Sequence, residues 1–207
     1  MAASELVPPA PEPHAPDDRA CAGPPGPGTT VVPVDRGPLP GPVIRGPDDV
    51  VAAVPYLLGH HPSRSLVVLA VRPDAVLGVV CRADLPEPGA APAAVDEVAD
   101  QLVGAVTADG AERAVVVVYD DDPSPGPPAA AGPAEAVVDR LAGHGVGVGD
   151  VLHVGPRRWR SRWCSDHRCC PAEGRPLSEV RHRPVAARFV LEGRDPAPDR
   201  AALEPAP

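Results

Sequence analysis

The chain has no lysine: all 19 of its basic residues are arginine. Arginine, alanine, proline and glycine codons are GC-rich, so the bias reads as the mark of a GC-rich genome rather than an adaptation for phosphate. Aromatic residues are 2% of the chain. The core must then be built from Val, Leu and Ala, and branched residues pack well in strands. Basic charge is scarce as well. A formal net charge of -9 and a pI near 5.2 exclude a general nucleic-acid binder, whose domain would be basic. No stretch reaches the roughly 18 apolar residues of a membrane span, so no membrane partner is expected. Met1–Leu6 offers neither the basic start nor the apolar run of a secretory signal. The expected compartment is cytoplasmic, where the five cysteines would be reduced, metal-bound or redox-active rather than structural disulfides. No internal repeat is present, and the G-x-S-x-G turn of many hydrolases is missing.

Proline and glycine are plentiful, 32 and 20 residues of 207, and unevenly spread. Residues 1–42 hold many of them and no apolar period, which predicts a disordered tail. The insert Asp122–Pro133 and the tail 194–207 read the same way. Between them, 43–193 predicts one α/β domain: a mixed β-sheet, with an N-terminal hairpin plus parallel strands, and packed helices. Pro47, Asp48 and Asp49 suit a helix start. Val50, Val51, Val54, Leu57 and Leu58 recur at helical spacing, with a kink or early end expected near Val54 because of Pro55. Ser65–Val71 and Val76–Leu85 predict an antiparallel hairpin around Arg72-Pro73-Asp74, with Gly78 a possible bulge. Ala91–Thr107 predicts an amphipathic helix, Arg113–Tyr119 a buried strand, and Ala129–Ala142 a second helix closed by Gly143. Val146–Val154 predicts a strand running on into Arg158 and Trp159. Val185–Leu191 fits a strand or a short helix.

One stretch gathers most of the reactive chemistry. Arg157–Pro171 holds both tryptophans, three of the cysteines, and Arg157, Arg158, Arg160, Arg162 and Arg168. Across 157–183, eight arginines face only Asp166, Glu173 and Glu179 as acidic residues. Arg158 and Arg162 supply guanidinium forks for a carboxylate or phosphate, and Trp159 and Trp163 could stack on a planar group or on the guanidinium planes. A small anionic ligand or a protein partner is the class expected here. Neutralisation of the protein's own acidic surface explains the arginines equally well. Cys164, His167, Cys169 and Cys170 form C-x2-H-x-C-C, four soft ligands that could close a tetrahedral zinc site. The spacing lacks the usual two separated pairs. A reactive thiol beside arginines is a second reading, and small buried apolar groups a third.

Candidate catalytic groups lie elsewhere. His61 and Ser65 could pair, or could simply satisfy backbone groups in a helix–strand turn. Arg82 and Asp84 share one face of their strand. Asp120, followed by Asp121 and Asp122, ends the Arg113–Tyr119 strand, where α/β sheets bind ligands. Asp84 and Asp120 could together hold a cation or orient an amine, against a plainer reading of an acidic turn and an internal Arg82–Asp84 pair.

Several segments, in order, carry a resemblance: Val54-Pro55-Tyr56-Leu57-Leu58-Gly59-His60-His61-Pro62 with Ser65–Leu69, Arg82-Ala83-Asp84-Leu85-Pro86, Val115–Tyr119 with Asp120-Asp121, Arg158-Trp159 with Cys169-Cys170-Pro171-Ala172-Glu173-Gly174-Arg175-Pro176-Leu177, Val185–Gly193, and Asp199–Leu203. Over residues 43–203 the chain resembles the domain-of-unknown-function family DUF4192 of high-GC bacteria. The resemblance implies fold and boundaries, and no activity. It implies an aromatic where this chain has His60, so that His60 is not a required group. It also implies a helical C-terminal part that a chain ending at Pro207 would lack. The leading expectation is a regulatory or ligand-binding α/β domain acting through segment 157–176. The alternatives are a hydrolase- or redox-type enzyme at the strand ends and a structural zinc site.

Overall fold

The computed structural model describes residues 28–34, 43–121 and 131–203. Elements follow in the order β1 (Thr30–Val32), α1 (Pro47–Leu58), β2 (Ser65–Arg72), β3 (Val76–Asp84), α2 (Pro92–Ala108), β4 (Arg113–Tyr119), α3 (Ala131–Gly143), β5 (Gly147–Val154), β6 (Arg158–Ser161), β7 (Arg175–Pro176), α4 (Leu177–Val180) and α5 (Pro184–Leu191). The strands form one mixed sheet in the order β1-β3-β2-β4-β5-β6-β7. Among the described residues the β4–β5 pair is the parallel one, and every other pair is antiparallel.

Alternation along the central strands makes two apolar layers. Leu66, Val68 and Ala70 of β2 meet Ala99, Leu102, Val103 and Val106 of α2 and Ala134, Val137 and Leu141 of α3. Val67 and Leu69 meet α1, α4 and α5, with Trp159 and Phe189 in the same layer. The fold is therefore a three-layer α/β/α sandwich, with the period of 2 in each strand assigning one residue to each layer. No helix among the described residues is long and apolar enough to cross a membrane.

Several expectations change. Pro55 lies inside α1, which continues to Leu58 without ending at Val54. Proline in a helix interior costs about 3 kcal/mol. Leu57 and Leu58, both buried, would lose about 1.5–3 kcal/mol each if the last turn unwound, so packing wins. Thr30–Val32, inside the segment expected to be disordered, pairs with Val80–Arg82 as an edge strand. The strand after Val146 does not run into Arg158. Gly155-Pro156 reverses the chain, Gly155 N–H donates to Arg158 O at 2.8 Å, and β6 returns antiparallel to β5. Proline has no N–H with which to continue a ladder. Val185–Leu191 is helical: Pro184 occupies the first turn, and Val185, Ala186 and Phe189 form one buried stripe. The segment after Gly193 is docked, with Ala197 exchanging backbone hydrogen bonds with Gly59 and His61. The expected bulge is present: Gly78 and Val79 together face Ala70. Asp109 receives the Val79 N–H at 3.1 Å and pairs with Arg72 there. A Cβ at Gly78 would collide with the Asp109 carboxylate. Asp122 and the expected helix start at Ala129 lie outside the described residues.

Candidate functional site

The cysteine loop leaves the sheet at the end of β6. Ser161 Oγ donates to Asp150 Oδ1 at 2.7 Å and accepts the N–H groups of Trp163 and Cys164 at 3.2 and 3.0 Å. Burial pushes the Asp150 carboxyl up, and the Ser161 hydroxyl partly offsets this. Asp166 then closes a tight turn. Its carbonyl accepts both Cys169 N–H (3.1 Å) and Cys170 N–H (2.8 Å), and its carboxylate accepts Arg168 N–H. The chain returns through Gly174, whose φ of 79° is left-handed. Gly174 lies so close to β6 that an added Cβ would be 2.8 Å from Trp159 O, and its own carbonyl accepts Arg158 Nη1 at 2.6 Å. The Pro171–Gly174 turn thus brings the chain back against β6 as β7.

This turn overcomes the awkward spacing of adjacent cysteines. The Sγ atoms of Cys164, Cys169 and Cys170 all lie within 4.8 Å of one another, and Cys164 Sγ is 3.0 Å from Cys169 Sγ. Cys169 is exposed, the other two half-buried. Hydrogen bonding from Cys169, then from Cys170, holds the Cys164 thiol below its ordinary value. The same interaction pushes Cys169 up to about 12, while burial pushes Cys170 up. His167 is not in the three-sulfur group, but it lines a pocket of about 250 Å³ with Cys164, Cys170, Arg160, Ser161 and Arg162.

The four residues expected to bind a ligand have separate fates. Trp159 is 1% exposed, with the Arg175 guanidinium 5.3 Å from its ring centroid. Its ring is part of the core and carries the Arg175 guanidinium plane on its face. Trp163, by contrast, is 52% exposed. Arg158 holds the Gly174 carbonyl, and Arg162 pairs with Glu135 of α3 at 2.9 Å while still facing the pocket. The sequence offers no sign of the Asp150–Ser161 anchor, and shows Arg160 only as one of the arginines of the stretch. Their place follows from the β5–β6 register, in which Leu152 faces Ser161 and His153 faces Arg160.

The other candidates gather at a different part of the sheet. Arg82 Nε donates to Ser65 Oγ at 2.9 Å, and its remaining nitrogens hold Asp84 and the Gly28 carbonyl. Ser65 Oγ donates to Ser63 O at 2.6 Å. The exposed His61 engages Ala197 O through its backbone N–H, and the Ser65 hydroxyl is taken up by Ser63 and Arg82 instead of His61. His60, not His61, is the buried histidine; its Nδ1 is 3.2 Å from Leu58 O. Asp84 shares a cross-strand row with Ser65 and Tyr119. Asp120 lines a pocket with Val95 and Pro133 on the α2/α3 side, so the two carboxylates are not brought together. Three strands separate β3 from β6, roughly 19 Å at the usual spacing. Arg82 and Asp84 therefore share no pocket with the cysteines.

Fold and site together define a single α/β/α domain with a trithiol loop at one sheet edge. The sequence matches the family described as Domain of unknown function (DUF4192) over residues 47–206, and the chain belongs to that family. No curated protein and no solved structure matches it.

Proposed function

We propose that the domain is a metal-dependent ligand-binding module whose loop holds one zinc ion through Cys164, Cys169 and Cys170. The observation that carries this reading is the convergence of three sulfurs within 4.8 Å. Zinc–sulfur bonds of about 2.3 Å in a tetrahedron put sulfurs roughly 3.8 Å apart, so the loop needs adjustments of about 1 Å or less. Three thiolates on a divalent ion leave a net negative charge, which Arg160 and Arg162 in the adjoining pocket offset. Cys164, Cys170 and His167 line that pocket, so a fourth ligand would be drawn from it. His167 can complete the site, or an anionic group of a ligand can do so with the arginines as its partners. The binding reading is supported by the sheet order, which keeps the strand-end groups Ser65, Arg82 and Asp84 from joining the thiols in one catalytic constellation.

The test is elemental analysis of the purified full chain and three variants. Zinc close to one equivalent is expected in the wild type and in Cys81→Ser, with most of it lost in Cys164→Ser and Cys170→Ser. A wild type that stays zinc-free after equilibration with the metal sinks the reading.

A further inference from the structure

We propose that Cys164 and Cys169 are also a two-electron redox couple, which a hydroperoxide converts to an intramolecular disulfide with release of the metal. This deepens the metal reading by giving the same loop a switch. The two sulfurs stand 3.0 Å apart, and a disulfide bond of about 2.05 Å needs only about 1 Å of closure. The backbone already fixes both partners: Cys164 N–H is held by Ser161 Oγ, and Cys169 N–H by Asp166 O. Cys164 lines the pocket through which a small oxidant reaches it, and Arg160 and Arg162 line that pocket too. Cys81 is fully buried under α2, sheltered from the same reagent.

The chemistry balances without any further reductant. The Cys164 thiolate attacks one peroxide oxygen, the O–O bond breaks, and the leaving oxygen takes a proton as water or an alcohol. Cys164 is now a sulfenic acid. The Cys169 thiol attacks its sulfur, the S–S bond forms, and hydroxide leaves with the thiol's proton as water. Two thiols lose two electrons and two protons, and the peroxide gains them. With two of three thiolates consumed, Cys170, even joined by His167, cannot retain the ion.

The experiment treats the full chain, as purified and after chelation, with stoichiometric hydrogen peroxide, followed by intact mass, peptide mapping and a zinc-sensitive dye. The expected result is loss of two hydrogens, a mapped Cys164–Cys169 bond and, from zinc-loaded protein, release of one equivalent of zinc in step with it. The double variant Cys169→Ser with Cys170→Ser, which removes both neighbouring thiols, should stop at a Cys164 sulfenic acid that a 1,3-diketone traps. Cys170→Ser should lose zinc yet still form the disulfide. A bond mapped to any other pair, or no bond at all, overturns the couple. Zinc binding with no Cys164–Cys169 bond leaves the metal reading standing and removes the switch. The bond forming in protein that binds no zinc does the reverse.

Discussion

Two tryptophans four residues apart do opposite work. Trp159 alternates into the α1/α5 layer because β6 places it opposite Val154, and Trp163 falls beyond the strand, half exposed. Trp159→Ala should cost about 3–5 kcal/mol as a large-to-small core change, whereas Trp163→Ala should stay within about 0.5 kcal/mol. Urea unfolding of the two variants measures the contrast, and equal effects would remove Trp159 from the core. Two histidines set a pH dependence. Burial holds both His60 and His153 below the ordinary 6.5, so each stays neutral in the fold and binds its proton more readily when unfolded. Stability should be level above about pH 6.5 and fall as the pH drops below it. Melting temperatures from pH 8 to pH 5 check this, and His153→Gln should flatten the decline. A melting temperature that rises on acidification would contradict the assignment.

At the scale of elements, the loop between β6 and β7 depends on one glycine. Gly174 has a positive φ and sits where a Cβ would press on Trp159 O. Gly174→Ala should cost about 1–3 kcal/mol and weaken metal binding with it, since the Pro171–Gly174 turn follows directly on Cys169 and Cys170. Thermal unfolding together with zinc titration reads both effects; unchanged affinity would separate the turn from the site. Much at this scale was legible in the sequence. Continuous runs of Val, Leu and Ala marked β2 to β5, the apolar period marked α2, and Gly78 announced its bulge. Less legible was whatever depends on distant partners. The continuation of α1 past Pro55 is decided by where Leu57 and Leu58 pack. The pairing of Thr30–Val32 is decided by a free edge on β3. The meeting of two adjacent cysteines with Cys164 is decided by the Asp166 carbonyl, which no residue spacing encodes.

For the whole molecule, sheet order does most to separate the candidate sites. Arg82 and Asp84 on one side and Cys164–Cys170 on the other are parted by β2, β4 and β5. The C-terminal elements are tied back to the first helix by Arg183, which pairs with Asp49 at 2.7 Å and Asp48 at 3.1 Å. Burial pushes the Asp49 carboxyl up, but the Arg183 and Arg45 hydrogen bonds outweigh it and leave it lowered. Order along a sheet and a tie across 134 residues are products of tertiary packing. The thiol loop is thereby left on an edge, free to act as a site of its own. A cobalt(II) titration of the reduced full chain tests that claim most directly, because thiolate-to-cobalt charge-transfer intensity counts the sulfurs bound and the d–d bands report tetrahedral geometry. The account predicts saturation at one cobalt, with three thiolates bound, a response unchanged in Cys81→Ser and diminished in Cys164→Ser, Cys169→Ser and Cys170→Ser. No charge-transfer band in the wild type, or one that survives all three of these last substitutions, would contradict it.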